Sequence, residues 1–320
     1  KEEKFSLRPI AQHLKNLLKE EIVFLPDCRG EEIRRRINFS KETFFLLENL
    51  RFYPEEENNE KNFAKELASL GDLYVNDAFG VSHRENASVV AITEFLESYA
   101  GLLLGKEIKN LSKVLFDFQR PLILILGGAK ISTKLPLIKK FLEIGDYLLL
   151  GGALANTILK AWDFKVGRSL IEKEMLEEAK NLGSQKAELI LPGDFLVAED
   201  FEAKKAKIRG LGEVKNREII LDIGPIALKT YCQIIKKAKT IVWNGPMGYF
   251  ENPLFKKGSE EIAKIIGETK AFKVVGGGET IVILESLNLM DKITFISTGG
   301  GAMLEYLAGQ KLAGLQALER

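Results

Sequence analysis

The sequence predicts an α/β fold with two doubly wound, Rossmann-like domains, each built on a parallel sheet. Three observations support this fold class. Short apolar runs alternate with helix-like patterns in the first hundred residues, the same alternation resumes after Pro121, and four runs in the second half end at glycine clusters. Alternating strands and helices are typical of a parallel sheet whose faces are covered by helices. At 320 residues, the chain is long enough for two such domains.

The first series of elements predicts an N-terminal domain at residues 1–100. Its helices repeat apolar residues with a helical period, and its strands are short apolar runs. In chain order, the predicted elements are a helix at 7–18, a strand at 22–25, a helix at 31–37, a strand at 43–47, a helix at 62–70 and a strand at 73–75. The polar stretch 53–62 is the clearest predicted surface loop.

One amphipathic helix is predicted at 102–118, and residues 101–120 are assigned as a connecting helix between the domains. Proline disfavours helical backbone in the residue before it, so Arg120–Pro121 ends this helix. The C-terminal domain is placed at 121–308, and the tail 309–320 is expected to return to the N-terminal domain. The predicted strands of the C-terminal domain lie near 122–126, 147–150, 188–191, 219–222, 240–243, 272–275 and 293–297.

Four of these strands end at glycines from which a helix-like pattern begins. The four junctions are Ile123–Lys130, Thr240–Gly248, Phe272–Thr280 and Ile293–Ala302. Glycines at a strand's carboxyl end let backbone N–H groups approach a ligand, and the next helix start adds partial positive charge. Ligands of open α/β sheets bind at this end of the strands. The sequence therefore predicts a site for a polyanion, with a nucleotide as the natural ligand.

Composition excludes several other classes of protein. Lysine and arginine number 46 against 45 aspartates and glutamates, so no global field attracts nucleic acid or an anionic membrane. The longest apolar stretches are far shorter than the ~20 residues of a membrane helix. Cys28 and Cys232 form neither a metal cluster nor a disulfide framework, which favours a cytoplasmic location. With only His13 and His83, a Ser-His or metal-His mechanism has little support.

The first junction carries two lysines. Gly127 and Gly128 precede Lys130 and Lys134, which fall on one face of the first turn of the following helix. Because a helix N-terminus disfavours cations, two lysines there indicate a bound anion. A tight turn with two solvated lysines explains this motif equally well when it is taken alone.

The second and third junctions add candidate nucleotide ligands. Asn244 offers an amide to a phosphate or a carbonyl, and Glu251 can accept a bond from a ribose hydroxyl. A Pro-Gly turn with a solvated glutamate is the better interpretation of that junction alone. At the third junction, Gly276–Gly278 expose N–H groups, Thr280 adds a hydroxyl, and Glu279 supplies an oxygen ligand suited to Mg²⁺. A functional interpretation is favoured there over a purely structural one.

The fourth junction contains Ser297–Gly301, a similar nest of donors at the start of a helix. Two nests on neighbouring strands support a phosphate site more strongly than either nest alone. No Gly-x₄-Gly-Lys-Ser/Thr loop occurs, and no Gly-x-Gly-x-x-Gly fingerprint follows the first strand of either half. The phosphates must therefore be held in another way, and a dinucleotide is disfavoured.

Arg51 and Arg84 are the candidate anion ligands of the first half. Arg51 follows the predicted strand 43–47, and Arg84 comes directly after His83. Arginine forks bind phosphate and carboxylate groups bidentately. For either arginine alone, an ion pair with a nearby acid is the better interpretation.

Together, these motifs resemble those of the phosphoglycerate kinase family, and the resemblance runs from about Phe5 to the C-terminus. The order and combination of the segments are highly specific. The matching segments are LLENLRF (46–52), GDLYVNDAFG with HR (71–80, 83–84), AGLLLGKEI (100–108), ILGGAKISTK (125–134), LDIGP (221–225), IVWNGPMGYFE (241–251), VVGGGET (274–280) and STGGGAMLEYLAG (297–309).

The resemblance implies two doubly wound domains facing a cleft, with the glycerate on the N-terminal domain and the nucleotide on the C-terminal one. The implied reaction is reversible phosphoryl transfer from 1,3-bisphosphoglycerate to Mg-ADP, giving 3-phosphoglycerate and ATP. It implies domain closure, in-line transfer and no covalent enzyme intermediate. The implied cofactor is Mg²⁺, with ATP or ADP as substrate. The partners are these small molecules, without nucleic acid or membrane.

The same resemblance assigns roles to individual residues. Arg51 and Arg84 would bind the triose phosphate, and Lys130 would lie on the migrating phosphoryl group. Lys130 and Arg84, together with the backbone of Gly299 and Gly300, are the implied catalytic groups, and Glu279 is the implied metal ligand. The implied nucleotide-binding residues are Gly127, Gly128, Lys134, Gly151, Gly152, Asn244, Glu251, Gly277, Gly278, Glu279 and Thr280.

The sequence departs from the family pattern at its start. The family's chains begin with two further strands and their helices at the glycerate site, which these 320 residues lack. We therefore expect an incomplete N-terminal domain, an upstream segment in the intact protein, and exposed apolar sheet edges and faces. No activity is expected from the 320 residues alone. Glu279 and Ile220 stand where Asp and Gly are usual, so altered Mg²⁺ geometry and a narrower adenine slot are expected.

Two other functions are compatible with the sequence. One is a nucleotide-binding relative that has lost kinase activity, which the shortened N-terminal part and Glu279 favour. The other is a scaffold whose glycines serve only as turns, which leaves the lysines at the strand ends unexplained. The sequence gives no positive sign of an oligomer, so a monomer is expected.

Overall fold

A computed structural model describes residues 2–183 and 186–319. The chain forms two compact units. Unit 1 comprises Lys1–Gly105 and Lys311–Arg320, and unit 2 comprises Lys106–Gln310. Residues after 310 thus belong with the N-terminal part, and residues 106–120 belong with unit 2. The domain boundaries given above stay predictions.

The elements alternate between helix and strand over most of the chain. The helices are α1 (Arg8–Leu18), α2 (Glu31–Phe39), α3 (Pro54–Glu57), α4 (Lys61–Ala68), α5 (Leu102–Phe116), α6 (Leu135–Ile144), α7 (Gly152–Ala161), α8 (Leu176–Lys180), α9 (Pro225–Ile235), α10 (Lys257–Glu268), α11 (Gly278–Ser286), α12 (Gly301–Leu307) and α13 (Ala313–Leu318). The strands are β1 (Ile22–Leu25), β2 (Phe44–Leu47), β3 (Leu73–Asn76), β4 (Glu97–Ala100), β5 (Leu122–Leu126), β6 (Tyr147–Leu150), β7 (Glu188–Ile190), β8 (Asp194–Ala198), β9 (Lys207–Gly210), β10 (Ile219–Ile223), β11 (Thr240–Asn244), β12 (Phe272–Gly276) and β13 (Phe295–Ser297). Among the described residues, every helix is too short or too polar to span a bilayer.

Unit 1 contains two parallel pairs of strands, β1 with β2 and β3 with β4. The six predicted helices and strands of this part are confirmed, and β4 is an element that the prediction missed. Apolar side chains on one face of the β3–β4 pair are exposed: Leu73, Val75 and Tyr99 are 59%, 57% and 48% accessible. Exposed apolar sheet faces were expected for this part of the chain.

The prediction of a surface loop at 53–62 is wrong. Residues 54–57 form α3, and the carboxylate of Glu56 is buried. Its oxygens accept hydrogen bonds from Asn86 Nδ2 at 3.2 Å, from the Ser88 N–H at 3.0 Å and from Ser88 Oγ at 2.5 Å. A buried carboxylate is tolerated only when it is hydrogen-bonded in this way. Its partners lie about thirty residues away, so local polarity could not reveal them.

Unit 2 is built on a six-stranded sheet, in the order β13-β12-β11-β5-β6-β7 with all strands parallel. The strand order reverses between β5 and β11, because the chain moves to β6 on one side and returns to β11 on the other. Such a switch point opens a crevice at the carboxyl ends of the strands. The parallel sheet confirms the predicted α/β fold class.

The central strands are apolar because both of their faces are covered. All five residues of β5 and all five of β11 are buried. Ile123 and Trp243 pack in one cluster with Tyr231 of α9 and Ile262 of α10. Since no face of these strands meets water, their sequences are continuous apolar runs rather than alternating ones.

The predicted strand at 219–222 exists, but its place in a parallel series is wrong. It is part of β10, which pairs antiparallel with β8, and β8 pairs antiparallel with β9. These strands form a separate three-stranded sheet, and neither β8 nor β9 was predicted. A short apolar run does not specify the direction of its neighbour, which explains the error. The predicted helix 102–118 also ends earlier, at Phe116.

Asp194 joins the antiparallel sheet to α9. Its buried carboxylate accepts the N–H groups of Ile226 at 3.0 Å and Ala227 at 2.7 Å, which belong to the first turn of α9. We expect Asp194→Ala to lower the free energy of unfolding of unit 2 by about 2 kcal/mol, because two buried donors lose their acceptor. Urea denaturation followed by tryptophan fluorescence measures this, since Trp162 and Trp243 both lie in unit 2. The exposed Asp200→Ala is the control, and equal stability of the two variants would contradict the assignment.

Candidate active site

Four parallel strands of unit 2 end at one level. Asn244 at the end of β11 is in register with Leu126 of β5 on one side and with Gly276 of β12 on the other, and Gly276 is in register with Ser297 of β13. The four glycine junctions predicted from the sequence are therefore neighbours along one sheet edge. The loops that leave these strands converge at the switch point between β5 and β11.

The loops after β5, β6 and β11 are packed backbone to backbone. The Gly127 N–H donates to Asn244 O at 3.1 Å, and the Gly128 N–H donates to Pro246 O at 2.8 Å. A Cβ atom on Gly127 would lie 1.9 Å from the Pro246 carbonyl oxygen, so only glycine fits there. The N–H groups of Gly151 and Gly152 also donate to backbone carbonyls, each at 2.8 Å. The N–H groups of these four glycines are therefore used within the protein, where they bring the loops together, and their assignment as nucleotide-binding residues stays a prediction.

Lys134 is buried beneath these loops. Its Nζ donates to the carbonyl oxygens of Gly127 at 2.6 Å and Asn244 at 3.3 Å, one on each side of the switch point. Burial lowers the pKa of Lys134 to about 8, and the negative charge of Glu279 opposes this shift. The buried ammonium therefore has carbonyl partners but no anion in hydrogen-bond contact among the described residues. Lys130, four residues earlier, is exposed.

The β11–β12 side of the crevice is fixed by side chains. Asn244 Nδ2 donates to Gly276 O at 2.9 Å, and the Gly245 N–H donates to Thr280 Oγ1 at 2.7 Å. Asn244 and Thr280 are both buried. Asn244 thus uses one amide proton within the protein, and the Thr280 hydroxyl oxygen already accepts a hydrogen bond. Both side chains therefore also hold the loop in place.

The start of α11 offers open donors. Gly277 has φ +96°, a left-handed conformation that favours glycine, and it turns the chain into α11. The N–H groups of Gly278, Glu279 and Thr280 form the first turn of α11, and no side chain of the described residues caps them. Unpaired N–H groups at a helix N-terminus form an anion site. The predicted donor nest is therefore present at this junction.

The start of α12 is held by a residue that sequence reasoning missed. Glu107 of α5 is buried, and its carboxylate accepts bonds from Ser297 Oγ at 2.8 Å and from the Thr298 N–H at 2.6 Å. Ser297 Oγ in turn accepts the Gly299 N–H at 3.1 Å, so that predicted donor is used within the protein. Gly300 is exposed and precedes α12. The sequence held one sign of this role: Glu107 is a charged residue within the predicted apolar face of α5.

An apolar pocket lies beside the glycine-rich loops after β5, β6 and β11. It brings together four predicted residues, Gly128, Gly152, Glu251 and Glu279. Further lining residues that the site prediction missed are Asn156, Leu170, Phe201, Leu221, Asp222 and Met247, and Ile220 lines it as expected. A pocket of apolar side chains with few polar groups suits a planar base.

Asp222 is a buried acid in the floor of this pocket. Its oxygens accept the N–H groups of Gly258 and Ile223, each at 2.8 Å. Burial raises the pKa of Asp222 to about 7, although these hydrogen bonds favour the charged form. Asp222 therefore ties β10 to the start of α10, and it gives the pocket a group that titrates near neutral pH.

The two arginines of unit 1 lie beyond the ends of its strands. Arg51 is in a short 3₁₀ turn (Leu50–Phe52) after β2, and Arg84 follows a second such turn (Phe79–Val81) after β3. Both are exposed, and neither guanidinium makes an ion pair with a described residue. The alternative raised for each arginine was an ion pair with a nearby acid, and the structure shows no such pair with a described residue. Both side chains are free to bind an anion.

Glu279 is the predicted metal ligand of this site. The described residues contain no group of three or more acidic, histidine or cysteine side chains that could enclose a cation. Magnesium is commonly held by one or two carboxylates together with substrate phosphates. Glu279 fits this pattern, because it is exposed, lines the pocket and stands in the first turn of α11.

Comparison with known proteins identifies the family. The family model described as phosphoglycerate kinase matches residues 1–310. The chain belongs to this family. It is 44% identical to a phosphoglycerate kinase of a Nitratiruptor species, covering 99% of this chain and 82% of the relative. It is 43% identical to the one from Dictyoglomus turgidum, covering 98% and 81%.

Solved structures agree with this assignment. The phosphoglycerate kinase structure from Coxiella burnetii superimposes with a TM-score of 0.84 at 36% identity, covering 100% of this chain and 82% of the other. The structure from Pyrococcus horikoshii OT3 gives a TM-score of 0.85 at 33% identity, covering 98% and 82%. The chain is thus an enzyme of the phosphoglycerate kinase family, and the predicted family and fold class are confirmed.

The buried Lys134 predicts an unusual pH dependence of stability. Its pKa of about 8 in the fold lies below the ordinary value of 10.5. Below pH 8 the side chain is charged in both the folded and the unfolded protein, so the cost of burying the charge has its full size there. The penalty disappears as the pH rises from about 8 towards 10.5. We expect the unfolding free energy of wild type to gain on the order of 3 kcal/mol relative to Lys134→Met over this range. Urea titrations at pH 7, 8.5 and 10 measure the difference, with the exposed Lys139→Met as control. A difference that is constant with pH would contradict the assignment.

Proposed function

We propose that the protein catalyses reversible phosphoryl transfer from 1,3-bisphosphoglycerate to Mg-ADP, giving 3-phosphoglycerate and ATP. The main support for this proposal is that the strands of unit 2 end in register. A base pocket, the open donors at the start of α11 and the two lysines after β5 lie around these strand ends. The names of the relatives support the same reaction.

Several of the predicted residues have a proposed role in this reaction. Lys130 neutralises the migrating phosphoryl group, and Lys134 neutralises the nucleotide phosphates from below. Glu251 accepts from the ribose, and Gly278–Thr280 donate N–H groups to phosphate oxygens. Arg51 and Arg84 of unit 1 bind the triose phosphate, which domain closure would bring in line with the nucleotide. The backbone of Gly300 is the remaining donor to the reaction centre, since the Gly299 N–H is used by Ser297.

Magnesium is the proposed cofactor, held by Glu279 and the nucleotide phosphates. When bound, it would neutralise phosphate charge. The longer side chain of Glu279, where the family usually has Asp, is compatible with this role because the side chain is exposed and free to adjust. The buried Thr280 hydroxyl supports the loop instead, through its bond from the Gly245 N–H.

The residues of the site suit a reaction without a general base. The acceptor oxygens of 3-phosphoglycerate and ADP are already ionised at neutral pH, so the step needs alignment and charge neutralisation. The described part of unit 2 contains no histidine. We propose direct in-line transfer without a covalent intermediate.

The first test of this function is turnover. Full-length protein with ATP, Mg²⁺ and 3-phosphoglycerate, coupled to a dehydrogenase, is expected to give activity. Lys130→Ala is expected to lose most of this activity while its affinity for ADP changes little, because Lys130 is exposed at the phosphoryl position. Equal loss of ADP binding would show that Lys130 belongs to the nucleotide site. Tight ADP binding by wild type without turnover would favour the relative that has lost kinase activity.

The second test follows the proton on Lys134. Phosphates placed near Lys134 would raise its pKa from about 8, so ADP binding at pH 8.5 is expected to take up a fraction of a proton. Calorimetry in two buffers of different ionisation enthalpy measures this uptake. Lys134→Met should abolish it, and the control Lys139→Met should leave it unchanged. Uptake that persists in Lys134→Met would show that the phosphates lie elsewhere.

We propose that the protein acts as a cytoplasmic monomer. Cys28 and Cys232 form no disulfide with a described residue, which suits a reducing compartment, and the small-molecule substrates are those of a glycolytic enzyme. Neither a nucleic acid nor a membrane is a proposed partner, because the formal net charge is only +1.

A further inference from the structure

Glu172 is a carboxylate to which the proposed reaction gives no role, yet it contacts the segment that carries Lys130. It lies between α7 and α8, directly before a 3₁₀ turn (Lys173–Met175). Its Oε2 accepts the Ser132 N–H at 2.9 Å, and its Oε1 accepts the Ser132 hydroxyl at 2.7 Å. Ser132 stands two residues after Lys130 and two before Lys134. One carboxylate therefore holds the middle of the lysine-bearing segment through two bonds.

The carboxylate also supports the turn from which α6 begins. Burial favours the neutral form of Glu172, but hydrogen bonds from Ser132 and the Ile131 N–H, with the positive charge of Lys130, hold its pKa below the usual value. Ile131 is fully buried, and its carbonyl accepts the N–H groups of Lys134 at 2.9 Å and Leu135 at 2.8 Å. Glu172 thus fixes the turn before α6 from a distant part of the chain.

The backbone of Glu172 is hydrogen-bonded to the helix that forms one wall of the base pocket. Its N–H donates to Thr157 Oγ1 at 3.1 Å, and the hydroxyl of the buried Thr157 donates to Ala153 O at 3.1 Å. Thr157 lies on α7, and Ala153 and Asn156 of the same helix line the pocket. A short chain of hydrogen bonds therefore connects the pocket wall to the segment of Lys130.

We propose that Glu172 is a positioning residue that fixes Lys130 relative to the nucleotide pocket. This proposal rests on the proposed function, because it takes the role of Lys130 at the phosphoryl group from it. The Lys130 side chain is exposed and makes no hydrogen bond to described residues, so its reach depends on the backbone that carries it. A displacement of about 1 Å at such a group can cost on the order of 100-fold in rate.

The test compares Glu172→Gln and Glu172→Ala with Glu174→Gln in the full-length protein. Glu174 is an exposed acid in the adjacent 3₁₀ turn, so its variant removes a charge of the same sign nearby. We expect kcat to fall about ten-fold in Glu172→Ala and at least about three-fold in Glu172→Gln. The Kd for ADP should stay within about two-fold of wild type, because Glu172 does not line the pocket. Glu174→Gln should match wild type in both measurements.

Ser132→Ala provides an independent readout, since Ser132 is the partner through which Glu172 would act. Its hydroxyl contributes only one of the two bonds, so kcat should fall less than in Glu172→Gln. The losses in the double variant Ser132→Ala/Glu172→Gln should be clearly less than additive. A purely structural role would instead lower the urea midpoint while leaving kcat of the folded protein at the wild-type level.

Two results would overturn the proposal. One is a kcat of Glu172→Gln equal to that of Glu174→Gln, and the other is an ADP affinity that weakens as much as kcat falls. If Glu172→Ala fails to fold, the milder Gln variant decides, with folding checked by tryptophan fluorescence. Failure of the proposed function is distinguishable, because wild type itself would then show no turnover.

Discussion

The register of β5, β11, β12 and β13 is the constraint on which the nucleotide half of the site depends. Because these four strands end at one level, the loops that follow them must share a narrow space. Only glycine permits the closest approach, since a Cβ atom at Gly127 would come within 1.9 Å of the Pro246 carbonyl oxygen. The open donors of α11 and the lysines after β5 take their places from this edge. A shift of one strand would break the site.

The crowded edge divides the glycines into two groups with different physical tasks. Gly127, Gly128, Gly151 and Gly152 donate their N–H groups to neighbouring carbonyls and hold the loops together. At α11, the turn at Gly277 leaves the first N–H groups of the helix open. This packing buries the ammonium of Lys134, and burial makes its charge costly to keep. A bound polyanion would relieve that cost, so the same burial that destabilises the free protein favours the ligand.

Much of the fold follows from the sequence, because a strand buried on both faces is a continuous apolar run whatever its neighbours. That logic located β5, β11 and β12 closely. It could not give strand direction, so the run at 219–222 was placed in the wrong kind of sheet. For the site, glycine-rich junctions identified the loops and the open donors of α11. They did not show which N–H groups would be used internally, since an acceptor such as Pro246 O is chosen by tertiary packing.

The residues that the sequence concealed share one chemistry. Glu56, Glu107, Glu172 and Asp194 are carboxylates that accept N–H or O–H groups from segments tens of residues away. From its neighbouring residues alone, each would be interpreted as an acid exposed to solvent, because the donors lie far away in the sequence. Each is needed because a loop or helix start leaves N–H groups without backbone acceptors, and burying them unpaired is costly. Glu279, by contrast, is exposed and lines the pocket.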